Sequence, residues 1–385
     1  MFGPWFATQK NIEPCIPVLG LMGYADHRGT KGKLPELASM PESEVLQMHR
    51  AIFHNRKAFQ IENDHTRVTV TEGGGHIAEI LNKATGVSPL WVPPWKTIEP
   101  GDWSEAKYPE YGGGPEAHLL ASIMGHNLCL YLFGGPTPDE TAAGIRVHGE
   151  AGVVNWEFES KADGLIARCV LPLAHLAFER VITLDGPKVN FHETVENLAS
   201  FGQPIAWTQH VTLGPPFMDR GKTEFYANGG FVGSLPGGTD PHSGKVFDKV
   251  GPVFKETLTS GTGEGGFRSF LMDKTQAKSF FIAWSPANET AISYCWNRCD
   301  FPWIGIWDEN NYRDFKPWNS RSLTRGLEFS ASPFAESRKE MIERGRFMDT
   351  PCFAWIPAKG KLTADYDAIT IKTKSMPASI KEFEK

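Results

Sequence analysis

Several features that would mark a function are missing from these 385 residues. There is no run of Lys or Arg, and the formal net charge is −6. Proteins that bind polyanions draw most of their affinity from clustered cations, so this composition argues against a nucleic-acid partner. No window approaches the ~20 apolar residues that a spanning helix needs, and Met1 to Gly20 lacks a charged start leading into an apolar run. A soluble, unexported chain with no membrane partner is the expectation. Cysteine is sparse: Cys15, Cys129, Cys169, Cys295, Cys299 and Cys352 are scattered along the chain. A small secreted domain would carry a denser framework, so reduced thiols in a cytoplasm are expected. Cys295 and Cys299 resemble half a metal site, but no second ligand pair follows at zinc-like spacing, and no metal is expected. Gly73-Gly74-Gly75 and Gly112-Gly113-Gly114 lack the lysine, the hydroxyl residue and the strand-to-helix context of a phosphate-cradling loop. They read as turns, and no nucleotide cofactor is expected.

Helical patterns are also scarce. Pro41-Glu42-Ser43-Glu44 running into Val45, Leu46, Met48 and Ile52 predicts one short amphipathic helix within an N-terminal arm over residues 1–55. Residues 335–346, ending near Gly345, predict a second as a surface connection. Elsewhere short apolar or alternating stretches recur between Gly, Pro, Asn and Asp clusters. Examples are Arg67-Val68-Thr69-Val70, Ile166-Ala167-Arg168-Cys169-Val170-Leu171 and Val189-Asn190-Phe191-His192-Glu193-Thr194-Val195. Many short strands without interleaved helices predict packed antiparallel sheets rather than a parallel α/β fold. Hydrophobic residues at 41% and charged residues at 22% suit a folded chain with a sizeable core. No break in texture or fixed-period repeat appears over residues 56–375, which read as one all-β domain followed by a C-terminal tail, 376–385.

Three stretches combine ionisable side chains with turn residues and aromatics. In Arg146-Val147-His148-Gly149-Glu150, a histidine followed by glycine at a strand edge is sterically open; His148 is either a site residue or an exposed loop histidine. In Ile205-Ala206-Trp207-Thr208-Gln209-His210-Val211, alternation puts Ala206, Thr208 and His210 on one face and Trp207 and Gln209 on the other. His210 then points into a polar concavity, or is a core histidine bonded to a carbonyl. In Thr324-Arg325-Gly326-Leu327-Glu328-Phe329, Glu328 is either an outward-facing charge or a carboxylate in a partly apolar pocket. Only the pocket raises its pKa and makes it useful as a base near neutral pH.

Together, in this order, the three stretches resemble the galactose mutarotase (aldose 1-epimerase) superfamily. Its members carry a His-Gly turn, a later histidine closing a strand, and a C-terminal glutamate before a Pro-Phe-like segment, here Pro333-Phe334. Gly75-His76-Ile77-Ala78-Glu79-Ile80 is similar to that family's early strand. The resemblance spans roughly residues 60 to 375 and implies a large antiparallel β-sandwich, the galactose mutarotase-like supersandwich. It also implies a small-molecule carbohydrate as partner, with His210 as general acid near the ring oxygen, Glu328 as general base on the anomeric hydroxyl, and His148 positioning the substrate. Ring opening needs one proton removed from the C1 hydroxyl and another delivered to the ring oxygen, which one carboxylate and one imidazole can do without metal or cofactor.

The chain departs from the pattern in two places. Where such epimerases place an arginine before the His-Gly turn, it reads Tyr111-Gly112-Gly113-Gly114-Pro115-Glu116-Ala117-His118. Glu116 and His118 are the candidates for that space, and the lack of a basic pair favours a neutral sugar or sugar acid over a sugar phosphate. The family's hydroxyl-holding aspartate has no clear match, leaving Asp308 and Asn311, beside aromatics that could stack on a pyranose. Trp207 and Trp307 are further substrate-binding candidates. Two rival readings stay open. A non-catalytic carbohydrate-binding protein would use the same face and aromatics. A polysaccharide lyase would add a large helical domain for which the residues before the sandwich are too few.

Overall fold

The computed structural model describes residues 47–235 and 254–383. They form an antiparallel β-sandwich, with an 11-stranded sheet packed on a 9-stranded one. Among the described residues no helix is long and apolar enough to cross a membrane.

The predicted N-terminal helix is corrected where it can be compared. Pro41 to Leu46 lie outside the described residues, but Ile52 belongs to the strand His49–Phe53, which pairs with Arg56–Glu62. The two connecting residues, His54 and Asn55, both take positive φ, 45° and 66°. That is the backbone of a type I′ turn, whose twist matches the strands it joins, so the chain folds back as a hairpin instead of continuing a helical stripe. The boundary drawn at residue 55 therefore falls inside the main sheet.

The 9-stranded sheet is half-buried, and its strands show it: Leu176–Asp185 and Lys188–Asn197 alternate between buried and accessible positions, sending Phe178, Ile182, Phe191 and Val195 inward. Those side chains meet Val68, Leu128, Val211, Leu327 and Phe329 from the larger sheet. Two neighbouring strands at the centre of that larger sheet behave differently. Gln203–Leu213 and Leu323–Ser330 are buried almost throughout, on both faces. One face closes the sandwich core; the other is roofed by loops and by smaller clusters around Phe133, Phe267 and Phe334, and around Trp91, Leu119 and Trp318.

The second predicted helix forms over Arg338–Arg344, shorter than the 335–346 expected. Ser337 accepts from Glu340 N while the Glu340 carboxylate reaches back to Ser337 N, a capping box, and Gly345 stops the helix at φ 63°. The connection packs under the roof, because Met341 is buried with Phe133, Phe267 and Phe334. At the C-terminal end Phe383 is buried against Ile282, Ala291 and Ile369.

Candidate active site

His210 and Glu328 are direct cross-strand partners. The strand Gln203–Leu213 pairs with Leu323–Ser330 so that His210 faces Glu328 and Thr212 faces Gly326; on the far side Gly305 faces Glu328 and Trp307 faces Gly326. Alternation places Thr208, His210 and Thr212 on the roofed face and Trp207, Gln209 and Val211 on the core face. The glycines make room. A Cβ on residue 326 would stand 2.3 Å from Glu328 Oε1, and one on residue 305 would stand 2.5 Å from the Phe267 ring. The carboxylate thus lies back over a bare stretch of its own strand.

His210 Nε2 lies 3.1 Å from Glu328 Oε1, while His210 Nδ1 shares a 2.9 Å hydrogen bond with Thr212 Oγ1. The approach of Nε2 is close but off the line of a hydrogen bond, which leaves Glu328 Oε1 a buried acceptor without a donor in the protein. Both groups are almost wholly buried, 5% and 1% exposed. Burial pushes the glutamate well above the usual carboxylate range. Burial first, and the neighbouring His148 second, push His210 well below the usual histidine value. Each group is driven toward its uncharged form, a protonated carboxyl beside a neutral imidazole.

His148 comes from a turn whose geometry demands the following glycine. His148 and Gly149 take φ of 64° and 78°, and a Cβ on residue 149 would meet Leu130 O at 2.2 Å. His148 Nδ1 donates to Phe133 O, so Nε2 carries no proton in the neutral ring. Its ring lies 5.1 Å from that of His210, and burial lowers its pKa to about 4, with the Arg313 charge adding to the effect.

These three side chains line one cavity of about 720 Å³, together with Glu116, Trp91, Trp307 and Trp318. Other candidates do not converge. Trp207 is on the core face, where its Nε1 donates to Glu193 Oε2 at 3.2 Å. His118 binds Pro100 O at 2.8 Å and stacks on Trp103, outside the cavity. Asn311 is spent in a turn, with φ 58° and its amide bonded to Arg220 and Ser320. Asp308 borders the cavity, but Arg325 Nε at 2.6 Å and Arg268 Nη2 at 3.0 Å take its carboxylate.

Arg313 and Glu309 were not found from sequence. Arg313 lies over the Trp318 and Trp307 rings at 4.9 and 5.5 Å, with Glu116 Oε2 at 3.7 Å and Glu309 Oε2 at 3.6 Å. The resemblance implies a cation before the His-Gly turn, whereas this one comes from the loop after Trp307, far along the chain. An arginine between Trp307 and Trp318 was the available signal. Glu309, buried in the cavity wall, anchors that loop by accepting from Tyr312 N and Arg313 N at 2.7 and 3.1 Å. Its strand position, two after Trp307, puts it on the same face.

A large antiparallel sandwich of this build has the galactose mutarotase-like fold. Solved structures agree. The chain is similar to a candidate aldose 1-epimerase from Klebsiella pneumoniae subsp. pneumoniae MGH 78578, with 14% identity over 85% of this chain and 84% of that one and a TM-score of 0.61. It is similar to a galactose mutarotase-like protein from Clostridium acetobutylicum, with 10% identity, coverage of 86% and 100%, and a TM-score of 0.58. A galactose mutarotase-like protein from Lactobacillus casei ATCC 334 gives 14%, 82% and 100%, and 0.56. At these identities the likeness is one of fold. No protein-family model matches the chain, and no curated protein matches it in sequence.

Proposed function

We propose that the protein is an aldose 1-epimerase-like isomerase that interconverts sugar anomers by ring opening. The observation that carries this reading is the 3.1 Å juxtaposition of His210 Nε2 and Glu328 Oε1 in the wall of a single cavity. The anomeric hydroxyl oxygen and the ring oxygen are bonded to the same carbon, so the base and the acid that serve them must stand side by side. With the pair's proton moved from Glu328 to His210, Glu328 takes the proton of the C1 hydroxyl and His210 delivers one to the ring oxygen, which restores the uncharged pair that burial favours; rotation about C1–C2 and reclosure invert the anomer. The open valence on Glu328 Oε1 is where the hydroxyl donates, and the burial that raises this carboxyl makes it a stronger base than an exposed glutamate. His148, with Nε2 free to accept, orients the sugar, and the partly exposed Trp307 indole in the cavity wall meets the apolar face of a pyranose.

The test follows mutarotation of freshly dissolved α-anomers of hexoses and pentoses by polarimetry or proton NMR. The wild type should accelerate equilibration, and Glu328→Gln should lower kcat by about 100-fold or more, as loss of a general base does, while retaining sugar binding. Saturable binding without acceleration by the wild type would instead identify a carbohydrate-binding protein.

A further inference from the structure

The proposed reaction concerns one ring, but the cavity extends past the ring. At about 720 Å³ it exceeds what a single pyranose fills, lying within the range of roughly 300–1,000 Å³ that suits larger ligands. Part of its lining comes from loop 311–322, which presents two aromatic side chains, Tyr312 at 47% exposure and Phe315 at 50%. Among the described exposed large hydrophobic residues, these two border the cavity; Phe201 and Trp355 lie elsewhere.

The loop that carries them is closed by its own backbone, and the Tyr312 ring is packed. The Tyr312 ring lies against Gly265, where a Cβ would come within 2.5 Å of it. Asn311 N donates to Ser322 O at 2.7 Å and Asn319 N to Phe315 O at 2.9 Å, which close the loop on itself. Half-exposed aromatic side chains lining the same cavity match the C–H-bearing face of another pyranose. The charges nearby give an anionic group no favourable place. Arg313 is already matched by Glu116 and Glu309, and Asp314 also lines the cavity.

We infer that the site takes the reducing end of a neutral oligosaccharide, with the terminal ring beside His210 and Glu328 and the next, glycosidically linked ring packed on Tyr312 and Phe315. This rests on the reading of the cavity as an aldose site. The experiment compares glucose with maltose and cellobiose, and galactose with lactose, in wild type and Tyr312→Ala/Phe315→Ala. Mutarotation kinetics and calorimetric binding are both measured. At least one disaccharide should show kcat/KM about tenfold above its monosaccharide through a lower KM, the double variant should remove that advantage while monosaccharide turnover stays within about twofold, and Phe315→Tyr should preserve it. Equal kcat/KM for single and linked rings, or a parallel loss for both in the variant, overturns the inference. Tighter disaccharide binding that depends on the two aromatics, without mutarotation of any sugar, upholds the inference and overturns the isomerase. No binding and no turnover across the panel overturns both.

Discussion

Buried His76 and His148 are held neutral by their surroundings, and the consequence is a definite acid sensitivity. His76 is wholly buried, with Nε2 donating to Gly152 O at 2.9 Å and Nδ1 accepting from Met124 N at 3.1 Å. Burial, aided by the charge of Arg56, lowers its pKa from 6.5 to about 3. Above about 6.5 neither the folded nor the unfolded chain protonates it, and its contribution is fully present. As pH falls from there toward 3, the unfolded chain binds a proton that the native state refuses, so stability is lost at roughly 1.4 kcal/mol per pH unit. His148 acts in the same direction down to about 4. Guanidinium midpoints measured from pH 7 to 4 should therefore fall, and His76→Gln should show a shallower fall. An unchanged slope in the variant would place the sensitivity in other groups.

At the same scale, side-chain facing was legible while side-chain company was not. Alternation along Ala206 to Val211 set His210 and Trp207 on opposite faces, and the face of His210 is the roofed one. The same alternation put Trp207 on the other one, so naming it as a sugar contact contradicted the pattern. His118 stands where the resembled family has an arginine, and Asn311 beside aromatics. Their side chains are taken by Pro100 O, and by Arg220 and Ser320, partners 9 to 91 residues away that leave no mark in the sequence nearby.

Among elements, strands were legible because period-two burial survives in Leu176–Asp185 and Lys188–Asn197. Central strands buried on both faces lose that period, and nothing local in Leu323–Ser330 announces that Glu328 lies opposite His210. That pairing joins residues distant in sequence. The helix Arg338–Arg344 shows what local chemistry does specify. Its capping box satisfies orphan N–H groups at both Ser337 and Glu340, and its Gly345 stop needs a left-handed residue. Ser337→Ala should cost about 1 kcal/mol, read as a shift of the denaturation midpoint with an unchanged slope. Because Met341 anchors this helix beneath the cavity roof, a much larger loss would mean that the cap also holds the roof in place.

For the molecule as a whole, the question is what keeps two large sheets in one alignment so that the roofed face stays intact. Apolar packing alone is non-directional. Directly behind His210, on the core face, lies a polar network that is directional. Arg180 Nε and Glu193 Oε1, both wholly buried and cross-strand partners in the 9-stranded sheet, approach to 2.7 Å. From the other sheet Trp207 Nε1 and Gln209 Nε2 donate to Glu193 Oε2 at 3.2 and 2.5 Å, and Arg180 donates back to Gln209 Oε1 at 3.3 Å. Tyr366 Oη donates to Glu193 Oε1 at 2.7 Å. Glu193→Leu leaves the Arg180 charge buried without its partner and should cost about 3–5 kcal/mol. An isolated buried pair can often be replaced by apolar residues without loss, yet here Arg180→Met/Glu193→Leu should stay destabilised. Trp207, Gln209 and Tyr366 would each lose an acceptor, at about 1–3 kcal/mol apiece for groups left unsatisfied. Urea denaturation of the single and double variants decides it. Full recovery in the double variant would show that the sheets are aligned by shape alone; a persistent deficit would show that Glu193 joins them.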